Sequence, residues 1–171
     1  MAIIAKAGGG GGDFTPAPAG VHQAVCVDVV DLGLLKVTFG GKEKEQHKIS
    51  VRWQIAENMD IGKPFLVQKR YTLSLHEKAT LRKDLESWRG RAFTSEESDG
   101  FDVENVIGAN CLLNIMHTKK GESTYANVTA IMPLAKGMPK MSAVGYVRQI
   151  DRTDNAPEPA DIAPDVDDIG F

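Results

Sequence analysis

Opposite charges gather at two places in this chain, and both suit non-covalent recognition. The final seven residues run Asp165-Val166-Asp167-Asp168-Ile169-Gly170-Phe171. Such a peptide is too short and too acidic to bury the apolar area that would offset its ordering entropy. Its chemistry is that of a ligand. Asp165, Asp167 and Asp168 suit a basic rim, and Ile169 with Phe171 and its α-carboxylate suit an apolar pocket on another protein. The cations lie elsewhere. All 20 Lys and Arg precede residue 153, where 17 acids accompany them and leave +3, whereas six acids and no base follow. A mildly basic body with an acidic tail is the charge pattern of a nucleic-acid binder with a separate recruiting arm.

Residues that would make or break covalent bonds are hard to assemble. No Gly-rich loop joins a strand to a helix with a phosphate-binding Lys, and the Gly8–Gly12 run opens no such turn. Asp28 with Asp31, and Glu96 with Glu97, are carboxylate pairs of the kind common on solvated surfaces. Neither a Ser-His nor a Cys-His arrangement follows from spacing. His22, His47, His76 and His117 lack metal-ligand spacing, so no metal and no cofactor is expected. Cys26 and Cys111 sit in apolar, strand-like contexts and read as buried thiols of a reducing compartment. The expectation is a non-enzyme of the cytoplasm: no apolar run reaches membrane-spanning length, and the N-terminus has no signal pattern.

The elements that position the charges follow from periodicity. Residues 1–19, with five consecutive glycines and then Pro16 and Pro18, read as a flexible arm. Val21, Val25, Val27 and Val29 share one alternation phase and predict a long first strand with that face buried, bent or bulged at Gly33. Ile49, Val51, Trp53 and Ile55 alternate with Lys48, Ser50, Arg52 and Gln54, which predicts an antiparallel strand with one wet face. A third strand over 65–75 places Val67, Tyr71 and Leu73 opposite Gln68, Arg70, Thr72 and Ser74. Lys69 falls on its apolar phase, at a rim or beside a bulge. Ser74 and Glu77 fit a capping box ahead of Leu81, Leu85 and Trp88, whose spacing predicts a helix ended by Gly90. Thr94–Glu97 is a second box, and Val103, Val106 and Ile107 suggest one further helical turn. Cys111–His117 and Ser123–Met132 form a hairpin turned at Gly121. From residue 135 to 164 the pattern fades into a linker, with Tyr146 and Val147 as its candidates for packing.

Strand, strand, strand, helix, strand, strand is the order of the OB-fold, a five-stranded Greek-key β-barrel, here over residues 20–134. The acidic tip closely resembles that of bacterial single-stranded-DNA-binding proteins, with Gly170 where that family usually has Pro. The stretch Leu85-Glu86-Ser87-Trp88-Arg89-Gly90-Arg91-Ala92-Phe93-Thr94 is similar to a segment of phage-encoded single-stranded-DNA-binding and replication-accessory proteins. The resemblance implies an all-β barrel that binds single-stranded DNA on the strand 2–3 face and the loops joining strands 1–2 and 4–5. The corresponding residues are Lys48, Arg52, Gln68, Lys69 and Arg70 on the strands, and Lys42, Lys44, Lys119 and Lys120 in the loops, with Tyr125 as candidate base platform. It also implies that the tip recruits replication or recombination proteins. A homo-oligomer is left open. The competing expectation is a protein-only adaptor that binds such enzymes and no DNA, because aromatic residues make up only 6% of the chain.

Overall fold

The computed structural model describes residues 15–152. The expectations for an arm up to residue 14 and for 153–171, including the tip residues Asp165, Asp167, Asp168, Ile169 and Phe171, lie outside the described residues. The elements are β1 (Gly20–Phe39), β2 (Lys42–Asn58), β3 (Pro64–Thr72), α1 (Thr80–Arg89), α2 (Ser95–Asp99), β4 (Asn110–Lys120) and β5 (Ser123–Met132). Short 3-10 turns cover Val103–Val106 and Gln149–Asp151. The strands form one antiparallel sheet in the order β3-β2-β1-β4-β5, so the class is all-β with two helices. β3 and β5 end the order, and no ladder joins them.

β1 organises the sheet because it is shared. Gly20 to Val25 pair with β4, and Ala24 to Phe39 pair with β2. The register slips between Cys26 and Asp28 and again between Asp31 and Gly33. Gly33 has φ 74°, a left-handed conformation that a residue without Cβ adopts freely. The slips correct the expected valine face. Ala24 and Cys26 enter the main core, with Val29 packed against it, whereas Val25 and Val27 pack on the opposite side with Leu66, Met141 and Tyr146. The strand is thus buried on both faces over this stretch, and a count by twos cannot assign its core side.

The main core lies on the other face of β2. Ile49, Val51, Trp53 and Ile55 meet Val67 and Tyr71 of β3, Leu113 and Ile115 of β4, and Leu81, Leu85 and Trp88 of α1. The Trp53 and Trp88 rings are 5.8 Å apart, and Trp88 Nε1 donates to the Asn110 carbonyl at 3.0 Å. Burying each of the three α1 side chains contributes about 1.5–3 kcal/mol. Gly90, at φ 74°, closes the helix by donating to Glu86 O. The N-terminus differs from expectation: α1 starts at Thr80 after Ala79, with no side-chain cap, and Ser74 Oγ accepts from His76 N in a local turn.

The second box does form. Thr94 Oγ1 accepts from Glu97 N at 3.2 Å, and Glu97 Oε1 accepts from Thr94 N at 3.0 Å. Arg89 grips both Glu97 oxygens at 2.8 and 2.9 Å. That grip, with the Thr94 amide, holds the Glu97 carboxyl down at about 2.

Two segments expected to be loose are packed. Ala17 is buried, His117 Nε2 bonds its carbonyl at 2.7 Å, and His22 Nε2 bonds the Pro18 carbonyl at 2.8 Å. Residues 139–152, expected to be linker with Tyr146 and Val147 as packing candidates, lie as a strap across β1, β2, β3 and the start of β4; Tyr146 packs, whereas Val147 is 55% exposed. Main-chain groups of Pro139, Met141, Val144 and Gln149 bond side chains of the sheet. Cys26 and Cys111 are free and buried; burial raises both thiol pKa values, that of Cys111 to about 12.

Candidate functional site

Beyond the sheet, β1 and β2 continue as a two-stranded arm. β4 leaves β1 after Val25, and β3 pairs with β2 only from Lys48. β2 has no slip between Lys42 and Ile55, so its even-numbered residues share the face opposite the core. That outer face carries Lys42, Lys44 and Lys48 about 6–7 Å apart per step of two residues. Arg70 joins the row from β3, where it pairs with Ser50. Glu43 and Glu45 point from the reverse face, opposite Thr38 and Lys36. A cationic row on one side, with Glu43, Glu45 and Lys36 on the other, leaves the net positive charge on the outer face. Such a row is complementary in charge to a polyanion.

Deeper along the same face the wet-side expectation fails. Ser50, Arg52 and Gln54 are 2%, 4% and 3% exposed. The strap covers Arg52 and Gln54. Gln54 donates to Val144 O at 2.8 Å and accepts from Val144 N at 2.7 Å, which copies one rung of a β ladder with a side chain. Asn110 makes the same pair of hydrogen bonds with Met141, and Gln23 donates to Pro139 O.

The strap is latched at Asp28, which is 1% exposed. Its carboxylate accepts from Tyr146 OH at 2.9 Å, Arg148 Nε at 3.0 Å and Gln149 N at 2.9 Å. Tyr146 OH in turn accepts from Arg52 Nη1 at 3.4 Å. Bonds to Glu104, then to Asp28, raise the Arg148 pKa, and burial raises that of Tyr146. A buried carboxylate persists only when paired and hydrogen-bonded, so these contacts are conditions of the fold. Arg52 therefore belongs to the latch side of the face.

The remaining expected residues separate. Gln68 accepts from Ser50 Oγ at 2.9 Å on the outer face. Lys69 is on the core side, where it meets Asp84 of α1 at 2.9 Å beside Tyr71 OH on the same oxygen at 2.6 Å; no register slip is involved. It stands apart from the outer row. Lys119 and Lys120 are exposed at the β4–β5 turn. The register puts that turn beyond Gly20, at the other end of β1 from Lys42 and Lys44. Tyr125 is half-buried next to the turn, paired with Thr118. Trp53 and Tyr71 are core residues, so the outer cationic row has no base platform from either ring.

Sequence reasoning missed Asp28, Gln54, Asn110 and Arg148 as a set. A signal existed: Asp28 interrupts the run Val25 to Val30, and a carboxylate inside such a run needs buried partners. It also missed a cleft of about 620 Å³ beside the arm's root, with apolar Ile49, Leu73 and Ile150 and acidic Asp31, Asp102 and Glu104 in its lining.

Comparison of the chain with protein-family models and with curated proteins finds no match. Among the described residues no helix is long and apolar enough to cross a membrane, and no His, Cys, Asp and Glu side chains gather as a metal site.

Proposed function

We propose that this protein binds single-stranded DNA without base specificity, in phage replication or recombination, through the outer face of an OB-like sheet. The observation that carries the reading is the one-sided row of Lys42, Lys44, Lys48 and Arg70, with Glu43 and Glu45 on the reverse. The strand order, and the position of α1 between β3 and β4, agree with an OB-type connection whose β3–β5 seam is open. Binding of this kind is electrostatic and falls with salt through counterion release. The test is anisotropy of a labelled oligo(dT) at two salt concentrations with duplex competitor. Equal affinity for duplex and single strand at moderate salt overturns the proposal.

The acidic tip is assigned the recruiting role. Phe171 supplies the ring and carboxylate for a basic-rimmed pocket, and the aspartates speed encounter. Deleting 165–171 is expected to abolish capture of replication or recombination proteins while single-strand affinity holds or rises.

One observation favours the second reading, a protein-only adaptor: the cleft lining sets Asp28, Asp31, Asp102 and Glu104 against Arg148 as its one cation among the described residues, amid apolar side chains, and Ile150 in it is 75% exposed. Such chemistry suits a basic peptide and repels phosphate. Loss of all oligo(dT) binding at low salt would select this reading.

A further inference from the structure

We propose that the outer face of β1, β4 and β5, around Val21, Met116 and Tyr125, is the surface on which bases rest. This inference rests on the single-strand reading above and deepens it, because the cationic row offers phosphates a path but offers bases no platform.

The register builds the surface. Val21 pairs with Asn114, and Met116, two residues on, lies diagonal to Val21. Met116 pairs with Asn127, and Tyr125, two residues back, lies diagonal to Met116. Diagonal neighbours across a ladder are about 7–8 Å apart. Three apolar groups thus form one oblique line over three strands. Val21 is 60% and Met116 55% exposed, and β4 alternates the outward Asn114 and Met116 with Leu113 and Ile115, which are buried in the core. The core has no need of Val21 and Met116, and water gains nothing from them.

The rim has matching chemistry. Asn127 Nδ2 donates to Thr118 Oγ1 at 2.6 Å and Asn114 Nδ2 to Thr129 Oγ1 at 2.9 Å, which fixes two amides along the line. Neither β4 nor β5 contains an acid, in a chain with 23 of them; Glu122 in the turn is the nearest. Lys119 and Lys120 stand at the end of the line, beside Tyr125. An apolar line with amide flanks, no carboxylate and a cationic end is complementary to unpaired bases on a phosphate chain. It accepts any base, since every base has a π face.

The experiment compares labelled oligo(dT) with an abasic oligomer of the same length, which keeps the phosphates and lacks the bases. The wild type is expected to prefer oligo(dT). Tyr125→Ala is expected to weaken oligo(dT) binding roughly 5- to 100-fold and to leave abasic binding unchanged, with Tyr125→Phe close to wild type. Met116→Ser, at an exposed position, removes part of the preference without loss of melting temperature, so an unfolded Tyr125→Ala still leaves a usable variant. Loss of affinity for both oligomers alike, or no loss in either variant, overturns the inference while the single-strand reading stands. Failure of the wild type to bind either oligomer overturns both.

Discussion

Two halves of one outer face, both reached from β1, present opposite chemistry. Over β2 and β3 the strand residues are the more polar, with Ser50, Arg52, Gln54 and Gln68 in one patch, yet most of that patch is closed off by the strap. Over β4 and β5 the face carries Val21 and Met116 in the open. Polarity and exposure have parted company. The polar half is covered because Gln54 and Arg52 hold strap residues there, and the less polar half is open around Val21 and Met116 because the strap reaches β4 at Asn110. Hydrogen-bonding side chains on a sheet mark where something will lie, and that something is as readily the protein's own chain as a ligand.

The comparison breaks most completely if the latch is removed. Asp28→Ala strips the acceptor from Tyr146, Arg148 and Gln149 and leaves Arg52 buried beside the gap. Loss of one partner from a buried charge network costs about 3–5 kcal/mol. Denaturant unfolding is expected to show this, with faster amide exchange at 141–149. Unchanged stability would mean that the strap is an accessory lying on an independently stable sheet.

A smaller effect isolates the strap's backbone mimicry. Gln54→Ala deletes both bonds to Val144 and leaves its N–H and C=O without them, at a cost of about 1–3 kcal/mol. Melting and exchange should change together at 142–147, while α1 keeps its protection. If protection falls equally in α1, strap and core unfold as one unit.

The open end of the polar half should respond in affinity and not in stability. Lys44→Ala with Lys48→Ala is expected to leave unfolding within about 0.5 kcal/mol. Single-strand affinity should fall, and the log–log salt dependence should flatten by about 1.4 if each lysine meets one phosphate. Arg52→Ala should do the reverse, with loss of stability first. If it weakens binding at unchanged stability, Arg52 is a ligand contact and the strap lifts.

The smallest effect lies away from both halves and serves as their control. Glu97 has its pKa lowered to about 2, chiefly by Arg89. Its contribution to stability is therefore present above the ordinary Glu value near 4.5 and is lost as pH falls toward 2. Arg89→Met should remove that part of the acid dependence of melting and leave the strap's exchange untouched. A pH profile identical to wild type would deny the Arg89–Glu97 pair any share in the α1–α2 corner.

Much of the fold was legible because its signals are local. The helix face of Leu81, Leu85 and Trp88, the stop at Gly90 and the box at Thr94 each depend on neighbours within a turn or two. The core phase of β2 was legible because four large apolar residues alternate without interruption from Ile49 to Ile55. The failures are non-local. The slip after Cys26 reversed the valine phase of β1, and nothing in four alternating valines announces an extra residue. Lys69 kept its place on the apolar phase because Asp84, 15 positions away, meets it there.

By itself, then, the sequence determined an all-β chain of five strands around one helix-covered core, since apolar periodicity and turn residues act over a few residues and need no knowledge of the rest. It also placed lysines at the β1–β2 and β4–β5 connections, although the structure sets Lys42 and Lys44 within β2, and Lys119 and Lys120 at the end of β4, rather than in loops. Only the tertiary structure decided which of the polar residues meet water. Arg52 and Lys48 are equivalent by alternation, four residues apart on one strand; the chain returns over 90 residues later to cover Arg52 and leaves Lys48 half-exposed. Burial is a property of what comes back to pack on a face, and no local pattern encodes that return.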